Sequence, residues 1–266
     1  MERFERAFAE AMSSEVLPMD AMIRFTVPGG KRLRPRLVFL SARLFGEVNE
    51  ATRRAALFVE MLHTATLIHD DVVDGGDCRR GRASLNARCG SKAAVLAGDY
   101  LLAKAMTLLS NPSDHLILKE MLGAAMAMSE GELMQDRKQK LEDGRQKDSA
   151  SCHLSPEFYL NILERKTARL LRACCVGGAL SVAPQPSPLT MTLLGDFGLN
   201  LGLVFQMRDD ILDADDPEVT ALAQQLLPEY LKKALKALDD MAPHAKNAEA
   251  LNELRSLTSF CAERSF

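Results

Sequence analysis

Long segments in which Ala, Leu and Met recur at helical spacing, each closed off by Pro, Gly or a short polar cap, constrain this chain most. Apolar residues three and four apart fit a helix that turns one face to a core, and few β-branched alternations are present to favour strands. Such segments cover 2–16, 32–46, 51–74, 91–109, 114–138, 156–182, 189–213, 217–240 and 247–264, which makes about nine helices. Pro28-Gly29-Gly30 precedes the second, Gly75-Gly76 follows the third, and Asn111-Pro112-Ser113 opens the fifth. Ser155-Pro156 supplies an N-cap and a first-turn residue for the sixth, and Pro184, Pro186 and Pro188 separate it from the seventh. The polar stretch 139–153 has no period and reads as a solvated loop. No unit recurs at a fixed interval, so a single all-α domain over residues 1–266 is expected.

The 266 residues are ample for a sizeable core. Lys and Arg total 33 against 36 Asp and Glu, a net charge of -3 that does not suit a general nucleic-acid binder. No stretch reaches the roughly 18 uncharged apolar residues of a transmembrane helix. The six cysteines show no C-x-x-C spacing, and MERFERAFAE is charged where a signal peptide is apolar. These features predict a reduced, cytoplasmic protein without a transmembrane segment or a nucleic-acid partner.

The strongest chemical signal is Asp70-Asp71-Val72-Val73-Asp74, which closes an otherwise apolar helix. Asp70 and Asp74 lie about 40° apart on one helix face, one turn from each other. Carboxylates at this spacing repel, and the negative end of the helix dipole disfavours them further. A second D-D-x-x-D, Asp209-Asp210-Ile211-Leu212-Asp213, ends another apolar helix far along the chain. Acidic helix ends are often plain solvated surface, but two of one type point to a shared cation. Oxygen ligands without His or Cys at metal spacing select Mg²⁺ or Ca²⁺, and Mg²⁺ commonly combines one or two carboxylates with substrate phosphates. The spacing does not fit an EF-hand loop.

Cations stand near these acids. Gly29-Gly30-Lys31-Arg32-Leu33-Arg34 puts a Gly pair before three cations at a helix start, which suits an anion cradle as well as an ordinary charged loop. Arg79 and Arg80 follow Asp74 within six residues. Lys166, in Arg165-Lys166-Thr167-Ala168, sits among apolar residues and fits either an inward cation or a snorkelling one. His63 shares the stripe of Asp70 and Asp74, and Gln206 lies one turn before Asp209 and Asp210. Each suits a phosphate ligand or a satisfied structural residue.

The segments GGKRLRP (29–35), HTATLIHDDVVD (63–74), RRG (79–81), LAGDYLL (96–102), EGELMQ (130–135), Tyr159 with KTA (166–168), and FQMRDDILD (205–213) together resemble the trans-polyprenyl diphosphate synthases. The likeness is strongest to medium- and long-chain bacterial members such as octaprenyl diphosphate synthase. It implies an isoprenoid synthase helical bundle around a deep central cavity, usually a homodimer, with a heteromer as the other arrangement. It also implies a prenyltransferase: an allylic diphosphate is ionised with Mg²⁺, the double bond of isopentenyl diphosphate attacks the cation, and a proton is lost. By resemblance, Asp70, Asp74 and Asp209 bind Mg²⁺, with Asp71, Asp210 and Asp213 supporting. Asp70, Asp71, Asp74, Lys166, Asp209 and Asp210 form its catalytic set. Arg79, Lys166, Thr167 and Gln206 hold the allylic diphosphate, and Lys31, Arg34, His63 and Arg80 hold isopentenyl diphosphate. Small residues at Ala65 and Thr66, before Asp70, predict an open tunnel floor and a product longer than farnesyl.

The likeness breaks after Asp213. The family continues there through a Gly- and Lys-rich segment whose lysine contacts the allylic diphosphate, and this chain runs on as ADDPEVTALAQQLLPEY. That gap gives weight to a non-catalytic or regulatory subunit that keeps the diphosphate site. A terpene cyclase of the same fold ranks lower, because the second cluster keeps its aspartates. Replacing Asp70 or Asp209 by Ala is expected to abolish turnover at little cost to folding.

Overall fold

The computed structural model describes residues 2–26, 30–79, 81–142, 155–183 and 186–265, with the backbone alone for 137–142. Among them are twelve α-helices: α1 (Glu2–Met12), α2 (Leu17–Thr26), α3 (Leu33–Arg43), α4 (Glu50–Val73), α5 (Leu85–Cys89), α6 (Ser91–Leu108), α7 (His115–Glu142), α8 (Pro156–Leu163), α9 (Arg169–Val182), α10 (Pro188–Asp213), α11 (Pro217–Met241) and α12 (Ala248–Glu263). Two-residue strands β1 (Cys78–Arg79) and β2 (Arg82–Ala83) pair antiparallel between α4 and α5. Eight of the nine expected segments match single helices or continuous helical runs within a few residues. The first, 2–16, ends early at Met12, and α2 is an additional helix beyond it. Ser13 and Ser14 break the run after Met12, where Tyr100 Oη donates to the Ser13 carbonyl and the Ser14 N–H donates to Asp20. The expected loop at 139–153 is also corrected at its start, since α7 continues to Glu142. Its residues there, Gln-Lys-Leu-Glu, are good helix formers. Residues 143–153 of that expected loop lie outside the described residues.

Capping fixes the helix starts. Asn49 and Thr52 form a reciprocal capping box at α4, and Ser155, Ser187 and Asp216 each accept N–H bonds ahead of a first-turn proline at α8, α10 and α11. α9 lies centrally against α3, α4, α7 and α10, while α10 also packs along α11 and α12. One apolar core runs from Phe4 to Cys261 through every helix except α8. A second, smaller cluster joins Tyr159, Leu163, Ala168, Leu203, Met207 and Ala223. Among the described residues, α10 is the one helix long and apolar enough to cross a membrane by itself, and half of its most apolar stretch is buried in this core.

Two details of the backbone bear on the site. Residues Glu164–Ala168 join α8 to α9 as a single π-helical turn. α10 passes into α11 through Ala214, Asp215 and Asp216 alone, with Ala214 left-handed at φ 51°.

Candidate active site

The C-terminal halves of α4 and α10, together with α7 and the π turn, enclose a cavity of about 650 Å³. Asp70 enters it from α4 and Asp209 from α10, accompanied by His63, Thr66, Lys166, Thr167 and Gln206. A second hollow of about 430 Å³ holds Lys31 and Arg34 and shares His63, Arg34 and Phe205 with the first. Arg79 lines the main cavity from the hairpin after α4. Arg80, expected beside it, lies outside the described residues. Thr66 reaches the cavity wall, whereas Ala65 is packed in the apolar core and is not part of it.

The π turn explains how Lys166 and Thr167, adjacent in sequence, both meet the cavity. π turns inside α-helices often occur at functional sites. Glycine makes room for this one on each side. A Cβ on Gly131 of α7 would lie 2.7 Å from the Lys166 nitrogen, and one on Gly202 of α10 would lie 2.4 Å from the Ala168 Cα. The same two helices then hold the side chains. Lys166 pairs with Glu132 at 2.8 Å and donates to Gln135 at 3.1 Å, both on α7. Thr167 donates to Gln206 Oε1 on α10 at 2.8 Å.

The six aspartates differ in surroundings. Asp70 is half-buried, and burial followed by repulsion from Glu132 pushes its carboxyl up to about 6, against the pull of Lys166 and Arg79. Asp74, exposed at the end of α4, is raised by burial of its carboxyl and by Glu132. Asp71 is buried on another face of α4, where Arg79 Nε donates to it at 2.7 Å, and it lines a third hollow with Phe25 and Leu85 that adjoins the main cavity at His63, Leu67 and Arg79. On α10, Arg264 donates to Asp209 and to the Phe205 carbonyl, with its guanidinium 4.0 Å from the Phe205 ring centroid. Tyr159 donates to Asp210 at 2.6 Å and Gln206 donates to it at 3.1 Å; burial nonetheless raises the Asp210 carboxyl. Burial and that carboxylate hold the Tyr159 phenol far above its usual range, so it stays a donor. Asp213 is exposed at the helix end.

Glu132, Asp136 and Arg264 were not among the residues expected at the site. Glu132 lies inside the EGELMQ motif, so a signal for it existed. Arg264 lies 55 residues beyond Asp209, and no local pattern marks such a partner.

Among the described residues, no three His, Cys, Asp or Glu side chains converge on one point as a preformed metal cage. Asp70, Glu132, Asp136 and Asp209 instead approach the cavity from three helices. This oxygen-only set, with Asp70 raised by burial and repulsion, suits a hard divalent cation that takes its remaining ligands from phosphate oxygens.

Residues 17–222 match the family model described as Polyprenyl synthetase. The all-trans-nonaprenyl-diphosphate synthase (geranyl-diphosphate specific) of Rhodobacter capsulatus is 37% identical over 206 residues, 77% of this chain and 59% of that protein. The octaprenyl diphosphate synthase of Escherichia coli K12 is 35% identical over 210 residues, 78% of this chain and 61% of that protein. The matched stretch thus spans about three fifths of these relatives. In fold, the chain superposes on a polyprenyl synthase from Caulobacter crescentus CB15, solved with calcium and isoprenyl diphosphate, at a TM-score of 0.82 and 27% identity, covering 100% of this chain and 95% of that one. Two acidic helix ends facing one cavity, and a sequence that follows the family model through both, make this chain a member of the polyprenyl synthetase family.

Proposed function

We propose that the chain condenses isopentenyl diphosphate with an allylic diphosphate to give a longer trans-polyprenyl diphosphate. The observation that carries this reading is the pair of adjoining hollows that share Arg34, His63 and Phe205 in their walls. One has carboxylates and phosphate donors around a common space, and the other has Lys31 and Arg34 beside His63. Lys166, Thr167, Gln206 and Arg79 orient the allylic diphosphate. Lys31, Arg34, His63 and Arg80 fix isopentenyl diphosphate so that its double bond faces the allylic carbon. Leu67, Met128 and Phe205 give the main cavity an apolar wall beside the carbocation, which water would otherwise trap as an alcohol.

Asp70, Asp74 and Asp209 would hold Mg²⁺, with Asp71, Asp210 and Asp213 supporting; bound there, it neutralises charge that develops on the departing diphosphate. Asp71 supports by fixing Arg79, and Asp210 by fixing Gln206 and Tyr159. Thr66 leaves the wall below Asp70 without an aromatic stop, which favours a product longer than farnesyl. The short Ala214–Asp216 link supports a single synthase domain that dispenses with the family's Gly- and Lys-rich segment. That same link favours a second reading, a subunit that binds diphosphate without elongating it. We also infer a homodimer in the cytoplasm, a reducing setting supported by the free thiols of Cys174, Cys175 and Cys261 in the core.

Incubating the purified chain with labelled isopentenyl diphosphate, farnesyl diphosphate and Mg²⁺, then sizing the products, tests this. Chains longer than farnesyl are expected. Bound diphosphate without extended product would move the conclusion to the non-elongating subunit, and a released cyclic hydrocarbon to a cyclase.

A further inference from the structure

Arg32 belongs to the basic run at the start of α3, but its side chain is committed elsewhere. Nε and Nη2 donate to the two oxygens of Glu5 on α1 at 2.8 and 2.9 Å, and Nη1 donates to Glu60 on α4 at 2.7 Å. Its guanidinium lies 4.8 Å from the centroid of the Phe8 ring. The pair with Glu60 is largely buried, with 9% of the Arg32 side chain and 7% of the Glu60 side chain exposed. The backbone at Arg32 is left-handed, φ 48° and ψ 39°, a conformation that residues other than glycine seldom adopt. Such strain persists where the surroundings over-determine it, and here two carboxylates and a ring hold the side chain.

The consequence falls on its neighbours. Glu60 stands three residues before His63 on α4, so the clamp ties the start of α3 to the turn that carries His63. Lys31 and Arg34, on either side of Arg32, line the same hollow as His63; Arg32 and Glu60 also reach its wall, with their charges already paired to each other. A different backbone conformation at Arg32 would swing Lys31 relative to Arg34, because the left-handed residue sets the direction in which the chain enters the helix.

We propose that Arg32 is a positioning residue: its clamp to Glu5 and Glu60 sets the spacing of Lys31 and Arg34 for the diphosphate of isopentenyl diphosphate. The inference rests on the reading of that hollow given above, and it assigns Arg32 no direct role in binding. Two variants separate it from a general packing role. Arg32→Gly leaves the left-handed backbone accessible but removes the clamp. Arg32→Met combined with Glu60→Met removes both buried charges together, so that neither is left unpaired in the interior.

Steady-state kinetics with each substrate varied in turn, alongside calorimetric titration with isopentenyl diphosphate and with inorganic pyrophosphate, gives the readout. Both variants are expected to raise KM for isopentenyl diphosphate by about tenfold or more, with kcat and KM for the allylic substrate changed by less than about threefold. Arg32→Lys, which can restore one ion pair, should recover part of the loss. An unchanged KM for isopentenyl diphosphate in the double variant, or equal losses for both substrates, overturns the proposal. Failure of the unaltered chain to bind isopentenyl diphosphate or pyrophosphate instead overturns the reading of the hollow, and the proposal with it.

Discussion

The ends of α4 and α10 share the D-D-x-x-D spacing and differ in how their charge is met. On α4, the cavity-facing Asp70 has Glu132 and Asp74 nearby, and burial together with Glu132 raises its carboxyl to about 6. Arg79, from the hairpin after α4, donates to Asp71 instead. On α10, Asp209 already holds the Arg264 guanidinium, and Asp210 accepts from Tyr159 and Gln206. At Asp70, burial and the Glu132 charge impose a cost that an added cation would relieve, whereas Asp209 and Asp210 already hold protein donors, although burial and neighbouring carboxylates still raise Asp210 and Asp213. Identical motifs thus impose different costs, because cost depends on what neighbouring helices supply.

The largest expected effect is on turnover. Asp70→Ala and Asp209→Ala should each lower the rate of chain elongation by about 10³-fold or more, read from labelled product. Near-normal rates in both would remove the basis for treating the two ends as halves of one site. Stability should separate them next. Asp70→Ala relieves repulsion and should leave the unfolding midpoint unchanged or raised, but Asp209→Ala strips the carboxylate from a guanidinium that is 10% exposed, at a cost of about 1–3 kcal/mol. Sequence alone suggests little loss for either; the Arg264 contact is the reason for the revision. Equal denaturant midpoints for the two variants would erase the contrast. Tyr159→Phe takes one of two donors from the Asp210 carboxylate and should cost about 1–3 kcal/mol, measurable by urea denaturation.

A smaller effect follows from pH. The folded carboxyl of Asp70 lies at about 6, above its unfolded value near 3.8, so the metal-free folded state binds the proton more tightly between these values. This group's contribution to stability is therefore greatest below about pH 4 and is lost as pH rises through about 6, by about 1 kcal/mol once partial exposure is allowed for. Thermal scans of the metal-free protein and of Asp70→Asn isolate it, since the variant should lack that component. Divalent-cation affinity should run the opposite way, falling as pH drops through 6 because protons compete for the same oxygens.

Much of the fold was legible because its helices carry strong periods and explicit caps; Ser155-Pro156 and the α10–α11 boundary were readable from residue chemistry alone. The short elements were not. α2, α5 and the two-residue strands depend on packing and on turns such as Gly81, at φ 73°, and offer too few residues for a period to emerge. At the site, helical spacing was enough to group His63, Thr66 and Asp70. It could not foresee that Asp71, one residue on, lines a different hollow with Arg79, nor that Arg32 would leave its basic run for Glu5 and Glu60. Those outcomes depend on partners contributed by separate elements, and sequence distance carries little information about them.

Glu164–Ala168 inserts one residue without adding a helical turn, so side chains beyond it are set back by about 100° from the azimuth that α8 would dictate. α8 and α9 thus behave as one rod written in two phases. Tyr159 and Leu163 answer to the groove with Met207 and Ala223, while Leu170 and Leu171 answer to the main core. Excising a single residue here would bring both halves into one phase, and the rod could then fill one groove only by vacating the other.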